Sequence, residues 1–558
     1  MIIQYKDAEI LYELSKFGLK VIIKGMHNGE VEIGINIRKK TENFHLRSYS
    51  IEWNELRDAY IVKDSEGRSL VVSGIEIKER FYKEHNPFPF EKQRCYVIKG
   101  TITHTIYLSS SIDDFDKLIS KAHEDDLTHY SRLLNEKASS LNITPRASKK
   151  EYVEELLNTW FWAVDSILSL KKKDYYVAGL PWFDEFWSRD ALWNGFALLA
   201  LDMKDDIKNM LLFLGNRINE HGHMLTLLNP DGTSSYHGDD ILPLYLIIAK
   251  YYLLKYKDKE VEKQVLKVLK IAEKYLHEHL FNGIVVHRST GTWMDTISKE
   301  WSALDIQALW TKAAKCWKHQ SKKMRLFYEI LLKGLIKFYD GEKWYRFLDP
   351  SSYKLAVKDT ANVFLLTFFD LVSGSYKDAV LQRGKILLSD YGVALENPEN
   401  YTFDPKGYHN GASWFLVNGW ALVSYLQNGY KKEAKLLLDA FIRDYKRFAY
   451  GNFSEVVAWD SGELIGSPHQ LWSASMFVVA MTFGLQNIVF SERWSLAYPS
   501  FLEDIANIYS SPLANHVVEG DEIVVKCSIP CYCTKCYMHG NDFIFKRGVV
   551  LYDIERGN

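Results

Sequence analysis

Cysteine is scarce, six in 558 residues. That is too few for a disulfide-built scaffold, and the expected compartment is the cytosol. An excess of either charge is also lacking. Sixty-nine Lys and Arg stand against 71 Asp and Glu, for a net charge of -2, and no long basic run occurs. This argues against nucleic acid or an anionic membrane as the main partner. No apolar run approaches the roughly 20 residues needed to span a bilayer. The stretch from Met1 to Leu19 carries Lys6, Asp7, Glu9, Glu13 and Lys16 where a signal peptide would have an apolar core.

Aromatic residues, by contrast, are abundant: 14% of the chain, with 16 Trp. The length suits two or three domains. Residues 1–112 read as short β-branched strands broken by turns at His27-Asn28-Gly29 and Ser65-Glu66-Gly67, the pattern of a β-sandwich. Residues 113–149 read as a polar helical linker. From 150 to 488 the hydrophobic period becomes 3.6, and twelve amphipathic helices are expected. Their connections alternate between tiny turns near Asp202, Asp258, His319, Gly374 and Gly429 and long loops at 172–188, 220–238, 281–300, 341–359, 391–409 and 448–467. Short turns make helical hairpins. Six hairpins closed into a ring would put every long loop at one end. The expected fold class is therefore multidomain and mainly α: an (α/α)6 barrel preceded by an antiparallel β-sandwich. Residues 489–558 form a short β-rich C-terminal extension, with strands at 522–525 and 548–552. Its cysteines Cys527, Cys531, Cys533 and Cys536, near His539, lack the usual paired knuckle spacing. Free thiols or a local disulfide are expected there, and no metal.

The long loops hold the polar-aromatic clusters. Pro181 to Asp190 packs four aromatic rings, three carboxylates and one arginine into ten residues. Aromatic faces suit the C–H side of a pyranose, and charged groups suit its hydroxyls. Tyr236 to Asp240, Trp293 to Asp295, Tyr408 to Trp414, Phe453 to Glu455 and His469 to Trp472 repeat the theme. Any one Asp among them can be read as a helix cap. The recurrence of Trp, Tyr and His on long loops alone points to a carbohydrate site. Two carboxylates on opposite loops meet the needs of glycoside hydrolysis, one as acid and one as base. A Trp two residues before a carboxylate, as at Trp293 and Asp295, can desolvate it and favour the acid form.

These motifs resemble a known family. Ala178 to Phe183 with Trp187-Ser188-Arg189-Asp190, the TWMD sequence at 292–295, Asp305 to Trp310, Tyr408-His409-Asn410-Gly411 and His469 to Ser473 are similar, in chain order, to the glucosidase domain of glycogen-debranching enzymes (amylo-α-1,6-glucosidases), within the glucoamylase-like clan. The resemblance implies an inverting exo-α-glucosidase that takes glucose from α-1,6 branch stubs of an α-glucan and needs no cofactor. It implies Asp295 as general acid and Glu455 as general base, with Arg189 and Asp190 gripping the terminal glucose. Trp187, Trp293 and Trp414 would wall the pocket, with Tyr236, Asp240, His409 and His469 as further substrate contacts. The family position near Asp305 is usually Glu, and no transferase domain accompanies the match. Glucoamylase-like α-1,4 or trehalose hydrolysis therefore stays open. A non-catalytic glucan-binding protein predicts binding without turnover, and an (α/α)6 lyase or uronyl hydrolase would call for a more basic groove.

Overall fold

The computed structural model describes residues 2–4, 9–15, 18–24, 29–35, 49–65, 67–88, 91–119, 124–172, 174–297, 301–448, 450–533, 536–539 and 541–546. The expected turn residues His27, Asn28 and Glu66, and the expected strand at 548–552, lie outside them. Two compact units divide the chain, Met1–Asn135 and Glu136–Asn558.

The first unit is built on an eight-stranded antiparallel sheet: β1 (Ile2–Gln4), β2 (Glu9–Ser15), β3 (Gly18–Lys24), β4 (Glu30–Ile35), β5 (Tyr49–Asn54), β6 (Ala59–Asp64), β7 (Ser69–Phe88) and β8 (Glu91–Ser109). They run in the order β1-β2-β3-β8-β7-β6-β5, with β4 also paired to β8. The strands β7 and β8, at 20 and 19 residues, far exceed the short runs expected at 70–72 and 101–106. Register shifts at Ser73/Ile75 and Ile77/Glu79 interrupt the period-two pattern that sequence reading relies on. Gly74, at φ +84°, sits at the first shift, where a Cβ would strike the Thr105 carbonyl. Val62, Val72, Ile75, Ile98 and Ile106 form the main core of the sheet. A second cluster, Ala59, Val71 and Phe115, takes in the helix Ile112–Ile119.

In the second unit the expected helices are present: α1 (Lys150–Ser169), α2 (Ser188–Ala200), α3 (Lys204–Gly215), α4 (Ile241–Tyr256), α5 (Lys259–His279), α6 (Leu304–Trp317), α7 (Lys322–Ile336), α8 (Phe364–Phe368), α9 (Gly374–Arg383), α10 (Phe415–Gln427), α11 (Lys431–Tyr445) and α12 (Leu471–Val479). The even-numbered helices are apolar on nearly every side and almost wholly buried; the odd ones bury a single stripe. Contacts run α2–α4–α6–α8–α10–α12 and return from α12 to α2, so the even helices close a ring, with each odd helix packed on an even neighbour. Asp258 and Ser321 cap α5 and α7 through their side chains. The expected helix over 360–373 is shorter. After a 3-10 turn, α8 has five residues, and Asp370 reverses the chain at φ +51°.

Helices expected to begin at 301, 410 and 468 begin instead at Leu304, Phe415 and Leu471, each preceded by a two-residue strand. These strands lace the long loops, here L1 to L6 in chain order. Phe186–Trp187 of L1 pairs with Leu227–Leu228 of L2. Asp239 N of L2 donates to Gly291 O of L3 at 2.7 Å. Ser302–Ala303 of L3 pairs with Phe347–Leu348 of L4. Thr360 of L4 bridges to Glu396 of L5. Ser413–Trp414 of L5 pairs with Val456–Val457 of L6, and His469–Gln470 of L6 returns to Gly179–Leu180 of L1. All six loops are thus joined, backbone to backbone, in a closed girdle at one end of the helix ring. The hydrogen bonds of such long segments would otherwise go to water; here they hold side chains to fixed positions.

The segment read as a helical linker contains the helices Ile112–Ile119 and Glu124–Ser139, then a strand, Asn142–Pro145. That strand is the edge of a six-stranded sheet otherwise formed by residues 506–546. Cys533 and Cys536 are paired as a disulfide, and Cys527 and Cys531 are free. Among the described residues no His, Cys, Asp and Glu cluster could hold a metal, and no helix is long and apolar enough to cross a membrane.

Candidate active site

Arg189, in the first turn of α2, is 2% exposed and joins three loops. Its Nε and Nη2 grip Asp240 of L2 at 2.5 and 3.1 Å, and Nη2 also donates to Thr292 O of L3 at 3.0 Å. Nη1 reaches Oδ2 of Asp295 at 3.5 Å. Burial opposes the charge, but Asp240, Asp295 and Asp190 outweigh it and hold the guanidinium ionised above its usual range. A bidentate pair of this kind fixes direction as well as charge. Asp240 occupies the N-cap position of α4, yet its side chain makes no cap bond. It is given to Arg189 instead, which separates the site reading from the helix-cap reading. Asp295 keeps 29% of its side chain in solvent, so its carboxyl is held by Arg189 on one side and open on the other.

Glu455 of L6 is 2% exposed. Tyr408 donates to its Oε1 at 2.6 Å, and Ser467 N donates to Oε2 at 2.9 Å. Its own backbone N–H donates to Ser467 O at 2.7 Å. Burial pushes the carboxyl up to about 7, against those two hydrogen bonds and with the charge of Asp295 adding to the rise. A carboxyl that titrates near neutrality suits proton transfer at physiological pH. The buried carboxyl of Asp190 feels both the charge of Arg189, which lowers it, and that of Glu455, which raises it. Gln470 donates to it at 2.8 Å, and burial carries it well above the ordinary range despite Arg189 nearby.

Aromatic rings support these groups. His409 stacks on Trp414 with centroids 4.9 Å apart, and Trp293 meets both rings edge-on at 5.6 and 5.3 Å. Trp414 Nε1 donates to Tyr408 O at 2.5 Å, and Thr296 shares a 2.6 Å bond with Nδ1 of His409. Burial lowers His409 to about 3, with Arg346 and Arg189 acting in the same direction, so the ring is neutral. Trp187 meets the ring of His237 edge-on at 6.1 Å.

The structure therefore joins Arg189, Asp240 and Asp295 directly, and Trp293, His409 and Trp414 as one aromatic cluster. Asp190 and Arg189 are engaged with protein partners, and Trp414, 1% exposed, lies under His409. His469 bonds Ser166 O of α1 through Nε2 at 3.1 Å, and the backbone carbonyl of Tyr236 accepts from Arg288 at 2.7 Å. Tyr408 and Gln470 escaped sequence reading although both lie inside the motifs. Their signal was adjacency to His409 and His469. Arg346, wholly buried and bonded to Glu396 Oε1 at 2.7 Å, ties L4 to L5. Nothing in the sequence pairs those two residues.

Residues 163–395 match the family model described as amylo-alpha-1,6-glucosidase; the match takes in Arg189, Asp240 and Asp295 and ends before Glu455. No curated protein sequence matches the chain. Among solved structures, an uncharacterized conserved protein from Thermus thermophilus is similar at 14% identity, over 57% of this chain and 99% of that one, with a TM-score of 0.50. A GH63 mannosylglycerate hydrolase from the same organism, in complex with Tris, has the same identity and coverage at a TM-score of 0.49. The same hydrolase in complex with glucose gives 15% identity, 57% and 98% coverage and 0.49. At this identity the likeness is one of fold. With the family match, the chain is a glycoside hydrolase whose residues 163–395 are similar to the amylo-alpha-1,6-glucosidase family.

Proposed function

We propose that the chain is an exo-acting, inverting α-glucosidase of α-glucans, with α-1,6 branch stubs as its preferred bond. The observation that carries this reading is the placement of Asp295 and Glu455. They stand on the third and sixth of six laced loops, three places apart around the ring, and the charge of Asp295 acts on Glu455. In this reading the described helices form an (α/α)6 barrel over 150–488 with its site at the long-loop end. A β-sandwich over 1–112, a linker over 113–149 and a β-rich extension over 489–558 complete the chain, which acts in the cytosol and takes no cofactor.

Asp295 protonates the glycosidic oxygen. Glu455, ionised and held by Tyr408 and Ser467, takes a proton from water on the opposite face of the sugar. Inversion requires about 6.5–9.5 Å between the two carboxyl groups so that this water fits. Arg189 and Asp190 hold the terminal glucose, Trp187, Trp293 and Trp414 wall it, and Tyr236, Asp240, His409 and His469 make further contacts. The test is glucose release by Asp295→Asn and Glu455→Gln from limit dextrin, isomaltose, maltose and trehalose. Both variants should fall at least about a hundredfold on the substrate that the wild type prefers. Wild-type rates in both would refute the assignment, and preference for maltose or trehalose would move it to glucoamylase or trehalase.

A further inference from the structure

Asp444, in the last turn of α11, and Arg447, just beyond its end, hold the two limbs of the loop that bears Glu455. Asp444 is 5% exposed, and its Oδ2 accepts the N–H of Ser454, the residue before Glu455, at 2.7 Å. Its other oxygen has no partner among the described residues. Arg447 Nη1 donates to Gly462 O at 2.7 Å and to Ser461 O at 3.2 Å, on the far side of the loop. Gly462 has φ +64°, and a Cβ there would collide with the Tyr391 ring and the Arg447 guanidinium. Beyond that turn the chain returns beside Glu455. Ile465 N and Gly466 N both donate to Val456 O at 3.2 Å, and Ser467 N reaches the carboxylate itself.

We propose that Asp444 and Arg447 form a bracket that positions Glu455: one end fixes the outgoing limb at Ser454, the other fixes the turn from which Ser467 returns. Neither residue meets substrate; both are positioning residues. The inference rests on Glu455 being the base. Three observations make this more than general loop packing. Asp444 is a buried acid whose hydrogen-bond partner, among the described residues, is Ser454, which adjoins the base. Burial pushes it up to about 7, against that bond and the nearby Arg447, a cost that an apolar residue would not carry. Finally, Glu455 takes one of its two carboxylate hydrogen bonds from the limb that the Arg447 end holds.

The bracket predicts a split in kinetics. Misplacing a catalytic group by about 1 Å can cost about a hundredfold in rate, while the glucose contacts on L1 to L3 stay intact. With limit dextrin as substrate, Asp444→Ala should lose about 10- to 100-fold in kcat with KM within about twofold. Asp444→Asn retains an acceptor for Ser454 N–H and should stay within about threefold of wild type. Arg447→Ala, at a less buried position, should also lose kcat, by about tenfold, and serves if Asp444→Ala does not fold. Wild-type kcat in Asp444→Ala or Arg447→Ala overturns the proposal. So does a loss in Asp444→Asn equal to that in Asp444→Ala. Glu455→Gln, run alongside, separates the cases. If it keeps wild-type activity, Glu455 is not the base. If it is inactive while the bracket variants are unaffected, only the bracket fails.

Discussion

Tyr408 and Glu455 come from consecutive long loops and meet across a 2.6 Å hydrogen bond to Oε1. The bond favours the ionised carboxylate, whereas burial drives the group up to about 7. A general base works only when deprotonated, so activity should rise with pH through about 7. Tyr408→Phe removes the favourable contact. The acidic limb of the kcat/KM profile should move upward by about one pH unit. The loss should be large at about pH 6 and small at about pH 8. An unmoved limb would detach Tyr408 from the base.

Arg189 and Asp240 form a buried bidentate pair, and removing either partner leaves a charge stranded. Arg189→Ala and Asp240→Asn should each cost about 3–5 kcal/mol in stability and also weaken turnover, because Asp295 loses the hydrogen bond that orients it. Arg189→Lys should not rescue, since an ammonium cannot make the fork. Thermal unfolding with parallel kinetics checks this. Wild-type stability and kinetics in Arg189→Ala would return the Trp182–Asp190 stretch to a helix start that happens to be aromatic.

Much of this was legible because the chemistry is local. Alternating loop lengths and a change of hydrophobic period located the twelve helices. Clusters such as Trp293-Met294-Asp295 marked the loops that matter. What stayed hidden is contact between residues far apart in sequence. No pattern couples Arg189 to Asp240, Arg346 to Glu396, or Asp444 to Ser454. The girdle was hidden because two-residue strands such as Ser413–Trp414 are too short to show a period. The long strands β7 and β8 were hidden because bulges at Gly74 and near Lys78 reset theirs.

Asp305, in the first turn of α6, is wholly buried with neither side-chain oxygen partnered among the described residues. Burial and then the charge of Asp240 push it up to about 7. The folded form therefore holds a proton that the unfolded chain releases near its ordinary value of 3.8. The stability from this proton is present in full below pH 3.8 and is lost as pH rises through about 7. Asp305→Asn mimics the protonated form. It should unfold at a higher temperature than wild type at about pH 8, with the gap narrowing towards about pH 5. A gap that is constant with pH would show that Asp305 does not titrate in this window.

The anomeric configuration of the first product distinguishes single displacement from a covalent intermediate. Asp295 and Glu455 acting as acid and base from opposite loops make hydrolysis a single displacement, and a single displacement inverts the anomeric carbon. Proton NMR of the reaction on limit dextrin, recorded before mutarotation proceeds, should show β-glucose accumulating first. If α-glucose accumulates first, the two carboxylates act through a glycosyl-enzyme intermediate, and Asp295 and Glu455 do not work as an acid and base in a single displacement.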